Sequence, residues 1–446
     1  MEKCIIVGGG LVGPVLALHL ADLGHQVEIY ERRPDPRANE VPGGRSINIT
    51  LCERGFRALK VVDLDEVLKR QGIPARGRIM HDRHGDTHFQ PYGNRGEAIY
   101  SIARRDIHET VLEHAEDHPQ ISLHFEQECR RVDFGGPELE FLHRPSGRRH
   151  HVRGDRLFAC DGAHSAVRTQ LLRQGRFNFS QTYVEQGYKE IRLPAAADGQ
   201  YQLEKEAIHI WPRGRHMLIG FANRDGSFTL ALHLPFEGET SFESIPDDAS
   251  LVGLFERDFP DALPLLPDLV RDFHAHPTTP MVTVRCSPWS YQGHTLLMGD
   301  ATHAIVPSYG QGVNCGFESC AALRRCLEEA DGDWSEAFRA FEEQRRPEAE
   351  AIADLALEHF EELQVLVRDE DFLLRKRLER RIEELHPTTF SPLYSMISFT
   401  DMPYTEARRR DREQRPQVDA LLAMEGIQGW LDTGAADRWI DERFGS

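Results

Sequence analysis

Apolar and polar positions along the chain fall into three textures. The first is a set of short, unbroken apolar runs. Residues 4–7 (Cys-Ile-Ile-Val) run into a glycine-punctuated turn. An apolar-periodic stretch follows through Leu23, is stopped by Gly24, and gives way to a second run, residues 27–30, ending in Glu31. Continuous apolar runs suit strands buried on both faces, as in a parallel sheet, so this opening predicts strand, helix and parallel strand. Residues 157–160 and 295–298 are two more such runs, each leading into a polar turn and a helix start.

The second texture is alternation. Across residues 202–236 apolar and polar residues take turns, interrupted by Pro212-Arg213-Gly214 and Asn223-Arg224-Asp225-Gly226. These are hairpin signals, and they predict an antiparallel sheet over roughly residues 181–285. The third begins near Trp334, where the chain becomes helical in period and heavily charged. There the run Arg375-Lys376-Arg377-Leu378-Glu379-Arg380-Arg381 reads as a solvated helix face. No repeat or low-complexity tract interrupts this order.

The expected fold is therefore α/β: a Rossmann-like dinucleotide-binding domain with an inserted antiparallel β-sheet substrate domain and a C-terminal helical region. The boundaries expected are residues 1–60, 100–180 and 286–345 for the first, 61–99 and 181–285 for the second, and 346–446 for the third.

Composition narrows the function. A chain of 446 residues with 40% hydrophobic and 28% charged residues can bury a sizeable core. Lys+Arg 53 against Asp+Glu 72 gives −19, a surplus that repels nucleic acid and anionic membrane surfaces. The eight cysteines are scattered, and the one close pair, Cys315 and Cys320, lacks the second knuckle of a zinc site, so no metal is expected. Without a leader pattern or an apolar run near the roughly 20 residues of a membrane helix, a cytoplasmic protein is expected.

The glycine turn Gly8-Gly9-Gly10-Leu11-Val12-Gly13 carries the clearest chemistry. Gly8 permits the tight turn, Gly10 lets the backbone approach a pyrophosphate, and Gly13 lets the helix pack on the strand. Leu11 and Val12 open that helix. Glu31, followed by Arg32, stands where an acid accepts from a ribose hydroxyl. An acid there favours FAD or NAD over NADP.

Two later motifs join it in order: Asp161-Gly162-x-x-Ser165-x-x-Arg168, and Gly299-Asp300-Ala301-x-His303-x-x-x-Pro307. Together the three resemble the single-component aromatic flavin monooxygenases, the para-hydroxybenzoate hydroxylase type. The resemblance implies FAD as cofactor, with NADPH and dioxygen as co-substrates. It also implies FAD contacts from Arg45, Arg104, Asp161, Asp300 and Pro307. The helix after Gly310-Gln311-Gly312, with Val313 and Asn314, would direct its amides at the cofactor, where a helix N-terminus favours negative charge.

Within that family the segments Arg45-Ser46-Ile47-Asn48, Arg76-Gly77-Arg78-Ile79-Met80-His81, Gln90-Pro91-Tyr92-Gly93, Gly187-Tyr188-Lys189-Glu190, His209-Ile210-Trp211-Pro212 and Pro392-Leu393-Tyr394-Ser395-Met396 resemble the branch that hydroxylates L-kynurenine. The likeness runs from about residue 3 to about residue 404. It implies insertion of one oxygen atom from a C4a-hydroperoxyflavin to give 3-hydroxykynurenine. Chemistry of that kind demands a clamp and a dry pocket more than an acid–base triad. Arg78 with Tyr92, and Tyr394 nearby, would hold the α-carboxylate, because a guanidinium fork meets a carboxylate bidentately. Met217, Ile219, Phe221, His233, Pro307, Ser308 and Tyr309 would line the pocket.

Three positions depart from the branch. His359 stands where an asparagine normally helps hold the amino-acid group, Ser308 replaces an aromatic and is followed by Tyr309, and His233 stands where a pocket aromatic is expected. These exchanges keep a ring-substituted kynurenine or another aryl amino acid open as substrate. From other classes, a non-hydroxylating flavoprotein reductase or oxidase would ordinarily carry a second βαβ nicotinamide module, and none is seen. A dinucleotide sensor would leave the β insert without a purpose. The apolar C-terminal anchor of eukaryotic members is absent, residues 420–446 being too polar. Both a monomer and a homodimer remain compatible with the sequence.

Overall fold

A computed structural model describes residues 1–38, 47–365 and 370–445. The chain divides into two compact units: residues 1–72, 102–184 and 280–353 form the first, and residues 73–101, 185–279 and 354–446 the second.

The first unit is built on the unbroken apolar runs. Lys3–Val7 lies at the middle of a sheet, with Arg156–Ala159 and then Thr295–Leu297 on one side and Gln26–Tyr30 and then Ile121–His124 on the other, all parallel. Ser290–Tyr291 closes one edge as an antiparallel hairpin arm. Cys4, Ile5 and Ile6 are wholly buried, as a strand covered on both faces requires. Helix Val12–Asp22 follows the glycine turn and ends before Gly24, whose φ of +88° stops it. Gln127–Asp133, Glu138–His143 and Arg148–Arg153 form a separate antiparallel sheet.

In the second unit the alternating segment forms the expected hairpins. From Asn178–Leu193, which has Thr279–Ser287 on its other side, the sheet runs Phe228–Pro235, Met217–Ala222, Ile208–Pro212, Gly77–His81 and Thr87–Pro91. Along that run it is antiparallel except where Gly77–His81 lies parallel to Ile208–Pro212, a pairing the local sequence does not announce. One face, with Trp211, Leu218, Leu230, Leu232 and Leu234, packs on Leu254, Phe255 and Phe259. These last three belong to or follow helix Asp248–Asp258, so the stretch expected as sheet also contains helices.

The C-terminal part is helical, as its period suggests. The charged run lies in helix Glu370–Leu385, whose Leu378 and Ile382 are buried among Val418, Leu421, Ile440 and Phe444. Arg375, Arg377 and Arg381 are ion-paired with Asp419, Asp432 and Asp437 rather than merely solvated. No helix among the described residues is long and apolar enough to cross a membrane. All eight cysteines are free thiols, and seven are buried.

Candidate active site

The cofactor residues expected from sequence gather at the strand ends of the first unit. Gly8 has φ +110°, and a Cβ on it would fall 2.3 Å from the Cys160 carbonyl oxygen. A Cβ on Gly13 would fall 2.1 Å from the Gly8 oxygen, whereas one on Gly10 would meet nothing within 4 Å. Gly8 and Gly13 are thus fixed by packing, and the space above Gly10 is open. Glu31 accepts from the backbone amides of Gly9 and Arg33, each at 2.9 Å, which orients the carboxylate at the loop and leaves it further lone pairs. Exposed Arg32 follows it.

Asp161 accepts from the amides of Ala166 (2.7 Å) and Val167 (3.2 Å) through one oxygen, while the other is buried with no partner. Burial raises its pKa against those bonds. Asp300 opens the short helix Asp300–His303; its residue surface is exposed, yet the walls around it raise its pKa, with Arg104 acting in the opposite sense. Such a recess suits hydroxyl donors, which relieve a crowded carboxylate without neutralising it.

Two helices present open N-termini. Neither Val12–Asp22, preceded by Leu11, nor Gly312–Glu329 has a side-chain cap or an acid in its first turn. Val12 lies against Gly316, where a Cβ would come within 2.8 Å of it. Two adjacent positive helix ends beside an open glycine loop fit a pyrophosphate. The residues present therefore fit a dinucleotide such as FAD. Pro307, Ser308 and Tyr309 form a single 3-10 turn ending at Gly310, φ +65°. The side chain of Asn314 bridges this turn to strand Asn48–Leu51: it donates to the oxygens of Gly310 and Thr50 and accepts from Cys52 N–H, leaving only backbone near Val313 and Asn314 for a ligand. Arg45 lies outside the described residues.

Of the substrate residues expected from sequence, Arg78, Tyr92, His359 and Tyr394 come together in the second unit, whereas Pro307, Ser308 and Tyr309 belong to the first. Arg78 leaves strand Gly77–His81 with its guanidinium 5.3 Å from the ring centre of Tyr92 and 4.9 Å from that of Tyr394. It donates toward Tyr92 Oη (3.5 Å) and His359 Nε2 (3.4 Å). Burial opposes its charge, but the phenolic oxygens hold its pKa raised. Among the described residues this half-buried arginine has no carboxylate ion pair.

Because Arg78 can only donate, His359 Nε2 must accept, and Nδ1–H then donates to Glu362 at 3.5 Å. Burial lowers the His359 pKa, so the imidazole is neutral. Burial works against the charge of Glu362, yet the bond from His359, with Lys376 and Arg78 nearby, brings its pKa to about 2. The sequence did not single out Glu362; its signal is the three-residue spacing from His359 on helix Trp334–Val365.

Met217, Ile219 and Phe221 alternate with core-facing Leu218 and Ala222 and so share a sheet face with Arg78, as does His233. Other segments used in the resemblance are structural. His209 and His81 are bonded to one another (2.8 Å), and His81 and Trp211 both bond Asp261 (2.8 Å each). Among the described residues no group of acids, histidines and cysteines could hold a metal ion.

Residues 1–356 match the family described as FAD binding domain. The chain is 39% identical to "Kynurenine 3-monooxygenase" of Flavobacterium johnsoniae, over 99% of this chain and 98% of that protein. It is 41% identical to the protein of the same name from Stenotrophomonas maltophilia, over 98% and 95%. The chain belongs to the kynurenine 3-monooxygenase family. It is a flavin-dependent aromatic monooxygenase, and its cofactor is FAD. The family's range extends to Anopheles gambiae, whose protein is 40% identical over 90% of this chain and 82% of its own length.

The fold is shared more widely. A solved 2-methyl-3-hydroxypyridine-5-carboxylic acid oxygenase superposes with a TM-score of 0.68 at 20% identity, covering 84% of this chain and 96% of that one. A probable FAD-dependent monooxygenase of Pseudomonas aeruginosa gives 0.65 at 18%, covering 81% and 96%.

Proposed function

We propose that the enzyme hydroxylates L-kynurenine to 3-hydroxykynurenine, consuming NADPH and dioxygen. The observation that carries this reading is the charge pattern of the second unit: a half-buried guanidinium with no carboxylate partner among the described residues, and a half-buried carboxylate, Glu362, on the far side of the one imidazole that bonds both. A cation and an anion held apart by a neutral spacer suit the carboxylate and ammonium of an α-amino acid. Tyr92 and Tyr394 hold Arg78 from its faces and leave fork N–H groups for a carboxylate.

Bound FAD would supply the redox chemistry, in which NADPH is the reductant and dioxygen the source of the inserted oxygen atom. The protein's own part is to hold the amino-acid end at Arg78 and to keep water from the reacting ring with the apolar face of Met80, Ile210, Met217 and Ile219. Gly8, Gly10, Gly13, Glu31, Asp161 and Asp300 would hold FAD, with the amides following Leu11 and Gly312 on its pyrophosphate. Arg32, Arg104 and Pro307 complete that set. Ser308, Tyr309 and Phe221 are proposed as pocket residues.

The test is turnover by the FAD-loaded protein. NADPH oxidation should accelerate on addition of L-kynurenine, and the product should gain one oxygen atom, labelled when the gas is ¹⁸O₂, and coincide with authentic 3-hydroxykynurenine. NADPH oxidation that L-kynurenine leaves unchanged would overturn the substrate assignment.

A further inference from the structure

His233 is a buried histidine of the main sheet of the second unit, one ring nitrogen of which has no protein partner. His209 has both ring nitrogens engaged, Nδ1 with His81 and Nε2 with the Glu204 carbonyl, each at 2.8 Å. His81 is bonded at both nitrogens as well. His233 is 5% exposed, yet its Nδ1 is buried with no hydrogen-bond partner. Its ring rests 5.5 Å from that of Tyr188, and Met217 is its neighbour on the other strand. Burial brings its pKa to about 4, so at neutral pH it is an uncharged imidazole. A buried polar nitrogen left unpaired is destabilising, and leucine or phenylalanine would fill the same place without that cost.

The register shows where the ring points. Arg78 pairs with Ile208, and Pro212, two side-chain repeats further on, pairs with Met217, which pairs with His233. Arg78 and His233 therefore project from one face, the one opposite the leucine core. They stand three strands and four residues apart, about 20 Å between Cα atoms on an ideal sheet. That diagonal is about the reach of an arginine side chain, an aryl amino acid and an imidazole placed end to end. Met217 and Ile219 between them are apolar.

We propose that His233 is a specificity-determining residue that hydrogen-bonds a polar substituent on the substrate's aromatic ring, so that the enzyme prefers a ring-hydroxylated or ring-aminated kynurenine to an apolar analogue of the same size. This rests on the aryl amino acid reading above. A hydrogen-bonding substituent can pair with the imidazole at Nε2, the ring nitrogen that is not sealed off, and a chlorine at the same position cannot.

The experiment compares hydroxy- and chlorokynurenines, matched at each open ring position, with the FAD-loaded parent, His233→Phe and His233→Gln. Equilibrium binding is read from the flavin absorbance change and turnover from product formation. The parent should favour the hydroxy member of at least one pair by about tenfold or more. His233→Phe should bring that ratio near one while keeping full flavin content. His233→Gln, which keeps a hydrogen-bonding group, should restore much of the preference. An unchanged ratio in His233→Phe, or no preference in the parent, overturns the role of His233 even if L-kynurenine is a good substrate. Failure of L-kynurenine and all its analogues to bind overturns the aryl amino acid reading itself and this role with it.

Discussion

Tyr92 and Tyr394 stack ring on ring, 5.0 Å apart and 15° from parallel, and the guanidinium of Arg78 lies over both. One tyrosine follows strand Thr87–Pro91, the other belongs to helix Leu393–Phe399. The pair holds a cation by the faces of its rings, an attraction of about 0.5–2 kcal/mol per ring that does not neutralise the charge. A carboxylate in the same place would have quenched it. The arrangement keeps Arg78 charged, desolvated and available.

Replacing Arg78 by methionine should therefore act on substrate binding and leave FAD content unchanged. The loss of a charge-assisted bidentate contact in a desolvated site is expected to cost about 2–4 kcal/mol, so KM for L-kynurenine should rise by about a hundredfold. Steady-state kinetics with flavin content measured in parallel checks this, and a parental KM would refute the clamp.

The bridge from Arg78 to Glu362 runs through one imidazole, so the two directions of substitution at His359 should differ. His359→Phe removes an acceptor from Arg78 and a donor from Glu362, with an expected loss of about 1–3 kcal/mol in kcat/KM, or roughly tenfold or more. His359→Asn, able to donate and accept, should retain most of it. Equal losses in both would place the imidazole's role in packing.

The glycine loop makes a contrast of another kind. Gly10→Val adds atoms to open space, so the apoprotein should keep its melting temperature while flavin absorbance is lost on purification. Gly13→Ala drives a methyl into the Gly8 carbonyl and should lower the melting temperature of the apoprotein itself. Full flavin content in Gly10→Val would contradict the cofactor placement.

Buried histidines make stability fall in acid. Burial lowers the pKa of His209, His233 and His303 to about 4 and of His19 to about 3. Unfolded, each takes up a proton near pH 6.5, so the unfolded chain binds more protons between that pH and the lowered values. Stability is then lost as pH falls from about 6.5 toward 4, by up to about 1.4 kcal/mol per pH unit for each histidine. Asp161 and Asp300, with raised pKa values, act in the opposite sense and offset part of it. Denaturant midpoints at pH 7, 6 and 5 should fall in that order.

What the sequence made legible follows from how local each signal is. The loop at Gly8–Gly13 is dictated by its own backbone and the strand beside it, and the alternating hairpins announce their own turns at Gly214 and Gly226. The parallel pairing of Gly77–His81 with Ile208–Pro212 joins segments distant in the chain, and no periodicity encodes it. Glu362 escaped notice for a related reason: a glutamate on a charged helix looks solvated until His359, Lys376 and Arg78 are brought around it. The charged run at Arg375–Arg381 was legible as a helix, but its acidic partners lie on later helices.

The eight thiols bear on a hazard of the enzyme's own trade. A flavin oxygenase that fires with its substrate misplaced releases hydrogen peroxide, and peroxide attacks cysteine as the thiolate. Burial raises the pKa of every one of the eight, Cys315 to about 11 and Cys129 and Cys286 to about 12. At neutral pH the thiolate fraction is thereby held below that of an ordinary cysteine, which protects the chain against such peroxide. Idle turnover without an aromatic acceptor should leave all eight thiols titratable once the protein is unfolded, and their progressive loss would show that the shielding fails.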